Sequence, residues 1–129
     1  MAALPRITLA LSGVVLTSSA LAQQDTYDRV YDVAFFERVA VGDVEVTPIG
    51  ILEESRCHDP ELCFRNDRLV VSVILHGYRG MREIPLRLGR PTPVPGGELW
   101  LTDAGAAPVR NGAIPLDRYS LDIEYVPYR

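Results

Sequence analysis

The chain has 129 residues, with 17 acidic side chains against 13 basic ones, all of them Arg, and a formal net charge of −4. An acidic chain without Lys lacks the diffuse positive field that displaces counterions from a phosphate backbone, which argues against nucleic acid and, by the same charge, against an anionic lipid surface as partners. Apolar residues make up 47% of the chain and ten Pro and ten Gly punctuate it, which excludes global disorder and describes a turn-rich globular domain.

Residues 1–22 read as a signal peptide. Arg6 supplies one positive charge, residues 7–16 form a short apolar stretch, and Ala20-Leu21-Ala22 is the small-x-small pattern that signal peptidase cuts after. The stretch is too short for a comfortable membrane span, and no later run approaches the roughly 20 apolar residues a bilayer crossing needs. No Cys follows the predicted cut, so a lipid anchor is not expected. The expectation is a single periplasmic or secreted domain over 23–129, with no stable membrane insertion after cleavage.

The remainder reads as strands. Over 33–41, Phe35, Val39 and Val41 share one parity, Gly42-Asp43 interrupts, and Val44 and Val46 resume opposite Glu45 and Thr47, which reads as a strand, a tight turn and a strand. After Pro48 the apolar parity moves to Ile49 and Ile51, which demands a bulge or bend there. Over 69–75, Leu69, Val71, Val73 and Leu75 form one apolar face and Val70, Ser72 and Ile74 a mixed one, as in a central strand. Gly77-Tyr78-Arg79-Gly80 is turn chemistry, and Ile84, Leu86 and Leu88 continue as the second arm of a hairpin. Pro85 cannot donate to a ladder, so that arm is an edge or has its N–H side turned outward there. Residues 90–97 are extended and then turn into a strand with Leu99 and Leu101 inward and Glu98, Trp100 and Thr102 opposite. Residues 116–119 suit one helical turn, and Tyr119, Leu121, Ile123 and Tyr125 then alternate with Ser120, Asp122 and Glu124. Six to seven strands without an amphipathic helix predict an all-β fold, an antiparallel β-sandwich or a small barrel.

Both cysteines lie in the loop over 53–63, Glu-Glu-Ser-Arg-Cys57-His58-Asp-Pro-Glu-Leu-Cys63, between two strands. In an oxidising compartment the expectation is a Cys57–Cys63 disulfide, and closing so short a ring restricts the unfolded chain by about 2 kcal/mol. The alternative for the same residues is a zinc or copper site using Cys57, His58 and Cys63 with Asp59 or Glu61, although the two close ligand pairs of structural zinc sites are missing. The Cys-x-x-Cys spacing of a redox dithiol is missing as well.

No catalytic constellation stands out. Ser55, Ser72 and Ser120 could be placed beside His58 or His76, but none sits in a nucleophile elbow. Glu53 and Glu54 are neighbours on a strand and therefore face opposite ways, as at a solvated strand end. Trp100 lies at the polar parity of its strand, where it is either a packing residue of a second layer or an aromatic anchor at a contact surface. The candidate binding surface is Arg56, His58, Phe64 and Trp100. No cofactor motif is present, and the expected partner is another envelope protein or a small ligand.

Residues 44–57 (VEVTPIGILEESRC), with Cys63 and the 69–75 strand after them, resemble a group of small exported bacterial proteins and lipoproteins of unknown function. In that group an Asp-Ser-Arg-Cys-Pro loop, a second Cys and a Trp-x-Gly lie between two strands. The resemblance covers 41–103, with the loop as its specific part, and implies export and an all-β domain without implying an activity. Here Glu54 stands for the Asp, His58 for the Pro, and Phe64-Arg65-Asn66 for the Trp-x-Gly.

Overall fold

Period-two alternation becomes eight β-strands in the computed structural model, which describes residues 28–57, 68–77, 79–105 and 114–129, besides Ala3 and Gly13. The expected leader therefore lies almost wholly outside the described residues, as do His58, Cys63, Phe64 and Tyr78. In chain order the strands are β1 (Arg29–Val33), β2 (Val39–Val41), β3 (Val44–Glu54), β4 (Leu69–Gly77), β5 (Gly80–Arg87), β6 (Pro91–Val94), β7 (Gly97–Asp103) and β8 (Leu121–Pro127). One 3₁₀ turn, Leu116–Arg118, precedes β8.

The strands form two four-stranded antiparallel sheets, in the orders β2-β3-β4-β5 and β1-β8-β7-β6. Each sheet is a meander, and only β1 leaves its sequence neighbour to pair with β8 at the far end of the chain. The sheets do not close on each other, so of the two architectures expected the sandwich is the one formed. Strand β4 is central, with Leu69, Val71, Val73 and Leu75 buried on its inner face, and β5 is an edge that carries Pro85. The inner row of β4 packs against Leu99 and Leu101 of β7 and Leu121 and Ile123 of β8, all fully buried. The parity break at Pro48 is a β-bulge, since Pro48 faces Val73 while Gly50 faces Ser72, leaving Ile49 as the extra residue.

Two expectations need correction. Residues 33–41 are not one strand, because Phe36 adopts φ 66° and the Glu37 N–H donates to the Ala34 carbonyl at 3.3 Å, closing a turn that sends β1 and β2 to different sheets. The proline-rich run is also more than an extended lead-in, because Pro91–Val94 pairs with β7 as an edge strand. An edge is where proline belongs, since a missing N–H there leaves no partner carbonyl unsatisfied. These two differences account for the eight strands found in place of six or seven.

One end of the sandwich is closed by Tyr125, which is 3% exposed and whose hydroxyl donates to Asp43 Oδ2 at 3.3 Å. Its ring lies over Gly42 in the β2–β3 turn, where φ is +56°. A Cβ on Gly42 would fall inside that ring, whereas one on Gly89, at φ +71°, would meet nothing within 4 Å. Gly42→Ala should therefore cost at least about 3 kcal/mol, from overpacking on top of left-handed strain, and Gly89→Ala only the strain, about 1 kcal/mol. Urea denaturation of the two variants checks the difference.

Candidate functional site

Strand β3 ends at Glu54, and the chain enters the cysteine loop through Ser55. The Ser55 N–H donates to the Arg68 carbonyl at 2.8 Å, and the Arg68 N–H donates to Ser55 Oγ at 3.2 Å. The two limbs of the loop are thus tied together at its root, where the β3–β4 ladder runs out.

Arg56 anchors the first limb. Its Nε and Nη2 donate to Glu54 Oε1 and Oε2, each at 3.0 Å, the bidentate geometry that makes an Arg–carboxylate pair strong. Its Nη1 donates to the Gly105 carbonyl at 2.9 Å, and its guanidinium carbon lies 6.0 Å from the centroid of the Tyr119 ring. The Tyr119 hydroxyl closes the circuit by donating to Glu54 Oε2 at 2.9 Å, and the Tyr119 ring meets Phe35 edge-on at 5.6 Å. Glu54 and Arg56 extend from one sheet, whereas Gly105 and Tyr119 flank strands of the other, so the cluster clasps the sandwich at the end opposite Tyr125.

The clasp is largely dry, with side-chain exposures of 8% for Arg56 and 15% for Glu54. Burial alone would raise the Glu54 carboxyl, but the hydrogen bonds from Arg56 and Tyr119 outweigh it and hold the group below its ordinary value. Burial, with the adjacent Glu54 carboxylate, pushes the Tyr119 phenol up to about 12. Glu54 is accordingly not a solvated strand end. Local sequence could not show this, because Tyr119 arrives from 65 residues away.

The residues expected on one binding surface are not brought together. The Arg56 guanidinium points into the clasp. Trp100 is half-buried on the outer face of the second sheet, between Pro91 on β6 and Glu124 on β8. His58 and Phe64 lie outside the described residues. Cys57 is half-buried, with its sulfur 3.9 Å from the Ser55 carbonyl oxygen, while Cys63, the other half of the expected disulfide or metal site, lies outside them too. Among the described residues no group of three His, Cys, Asp or Glu is placed to hold a metal ion.

The serines are placed apart from the histidine as well. Ser55 belongs to the loop root, buried Ser72 donates to Glu83 across β4 and β5, and Ser120 donates to Asp32 Oδ1 at 2.6 Å. His76 Nε2 is 2.8 Å from the Thr47 hydroxyl and lines a cleft of about 590 Å³ with Asp43, Arg79, Met81 and Arg82. A second cleft, of about 260 Å³, opens beside the loop root between Glu53, Arg68, Arg87 and Arg90, over Leu69, Val70 and Leu88.

Removing Arg56 strands a buried carboxylate, so Arg56→Met should destabilise the protein by about 3 kcal/mol in urea denaturation. Because the folded-state pKa of Glu54 is depressed, its contribution is present above its ordinary value of 4.5 and is lost as pH falls below that. In Arg56→Met burial is less opposed, and the acid unfolding limb should move to higher pH. Tyr119 has the opposite sign. Its raised phenol adds stability that is present below pH 10 and disappears as pH climbs toward about 12. Spectrophotometric titration should therefore show a tyrosine ionising near pH 12 that Tyr119→Phe removes, while Tyr125, raised by burial and by Asp43, remains.

Set against protein-family models, curated proteins and solved structures, the chain matches none of them.

Proposed function

We propose that this protein is an exported, non-catalytic β-sandwich module that presents a loop closed by a Cys57–Cys63 disulfide to another envelope protein or a small ligand. The observation that carries this reading is the way the loop is mounted. Its two limbs are joined at Ser55 and Arg68, and its first limb is fixed to the opposite sheet through Arg56, Glu54 and Tyr119. Recognition loops gain affinity when a rigid scaffold fixes their geometry before the partner arrives. A leader followed by a mature domain with two cysteines fits the periplasm or the extracellular space, where such a ring persists. No helix among the described residues is long and apolar enough to cross a membrane.

Intact-mass spectrometry of the protein recovered from the envelope tests export and thiol state together. The expected species begins at Gln23, is lighter than the dithiol chain by two hydrogens, and gains them on reduction. A chain retaining its leader, or free thiols holding stoichiometric zinc or copper, contradicts the reading. Cys57→Ser with Cys63→Ser should lower stability by about 2 kcal/mol without unfolding the sandwich. A photo-crosslinking residue at position 61 should trap a partner in living cells where the same residue on the outer face of β5 does not.

A further inference from the structure

Three arginines line the smaller cleft. Arg68, Arg87 and Arg90 have no ion-pair partner among the described residues, which they share with Arg79, Arg82, Arg118 and Arg129, but they alone line one cleft as a set of three. They come from three places, the entry to β4, the end of β5 and the connection into β6. Their convergence is built into the backbone. Arg87 faces Val70 directly in the β4–β5 register and so shares its outward side. The turn over 87–90 is closed by the Arg90 N–H donating to the Arg87 carbonyl at 3.2 Å, with Gly89 at φ +71°, which brings the first and fourth residues close together. Arg68 is held by its two backbone hydrogen bonds to Ser55.

We propose that this cleft binds a tetrahedral oxyanion of the phosphate class, as inorganic phosphate or as a phosphomonoester. Among the described residues that line the cleft, three arginines stand against one carboxylate, Glu53, an excess of two positive charges that matches a dianion better than a monocarboxylate. Planar guanidinium groups carried by three separate backbone positions suit an acceptor whose oxygens point to the corners of a tetrahedron. The cleft volume of about 260 Å³ lies below the range of drug-sized pockets and fits a phosphoryl group with a small substituent.

The recognition is made by side chains. The N–H groups of Leu88, Gly89 and Arg90 already donate to the carbonyls of Leu69, Leu101 and Arg87, so the turn offers no backbone cradle of the P-loop kind. The inference concerns a cleft made by the strands and stands apart from export and from the state of the cysteines.

Isothermal titration of the purified protein tests it, with inorganic phosphate, glucose 1-phosphate and citrate as probes and sodium chloride matched in ionic strength. The expected result is saturable phosphate binding that glucose 1-phosphate reproduces by competition. It should be weakened at least tenfold in Arg87→Gln and further in Arg87→Gln with Arg90→Gln. Both side chains are exposed, and unchanged far-UV dichroism and urea midpoint show that the variants are folded. An Arg118→Gln control, outside the cleft, should bind as the parent does. Heats indistinguishable from chloride, binding that survives the double substitution, or capture of citrate in preference to phosphate would each overturn the proposal.

Discussion

Side-chain parity on β8 is the constraint on which the sandwich depends. Among the described residues the sheets share no continuous ladder, and apart from the bridge between Leu88 and Leu101 they are joined by side chains, some of them reaching a carbonyl of the opposite sheet. Tyr119, extended two residues before β8, and Tyr125 within it share one parity, about 20 Å apart at the rise of an extended chain. Their hydroxyls find Glu54 and Asp43, one carboxylate at each end of β3. A slip of one residue would turn both rings and the buried Leu121 and Ile123 toward water together, so one strand sets the register of two sheets.

A sandwich of two meanders leaves four edges, and each is blunted by its own sequence. Strand β5 carries Pro85, β6 carries Pro91 and Pro93, β2 spans three residues, and β1 is broken by a bulge in which Asp32 takes φ 55°. Asp tolerates that conformation, and here its side chain accepts from Ser120 while its N–H donates to Asp122. The same devices that keep the sheets from joining into a barrel also keep a foreign strand from adding to them. Binding through strand addition is thereby disfavoured, which leaves loops, clefts and outer faces as the surfaces available to a partner.

The parts of this fold that follow local rules were legible in the amino-acid order. The central character of β4 came from its apolar inner row, the Pro48 bulge from a change of parity, the edge position of β5 from Pro85, and the 3₁₀ turn from a short segment before a strand. The illegible parts depend on distant partners. Phe35, Val39 and Val41 keep one parity through the turn that separates β1 from β2, so periodicity alone joins them. Glu54 beside Glu53 looks like a wet strand end until Arg56 and Tyr119 are placed around it. Arg56 resembles a surface residue for the same reason, since a guanidinium is buried only where a carboxylate, a carbonyl and a ring converge.

The adjacent pair Glu53 and Glu54 shows how one pleat divides the chemistry of the loop root. Successive residues of a strand face opposite sides. Glu54 turns inward and holds the clasp, while Glu53 turns outward and lines the arginine cleft. Arg is required on the inward side, because a Lys would meet Glu54 as a point charge and could not also lie against Tyr119 and reach the Gly105 carbonyl. The clasp therefore immobilises the backbone from which the cleft is built, and through Ser55 it steadies Arg68 as well. A ligand group held there would rest on strand ends fixed by the core rather than on a free loop, which is the condition for holding charged groups in a constant geometry.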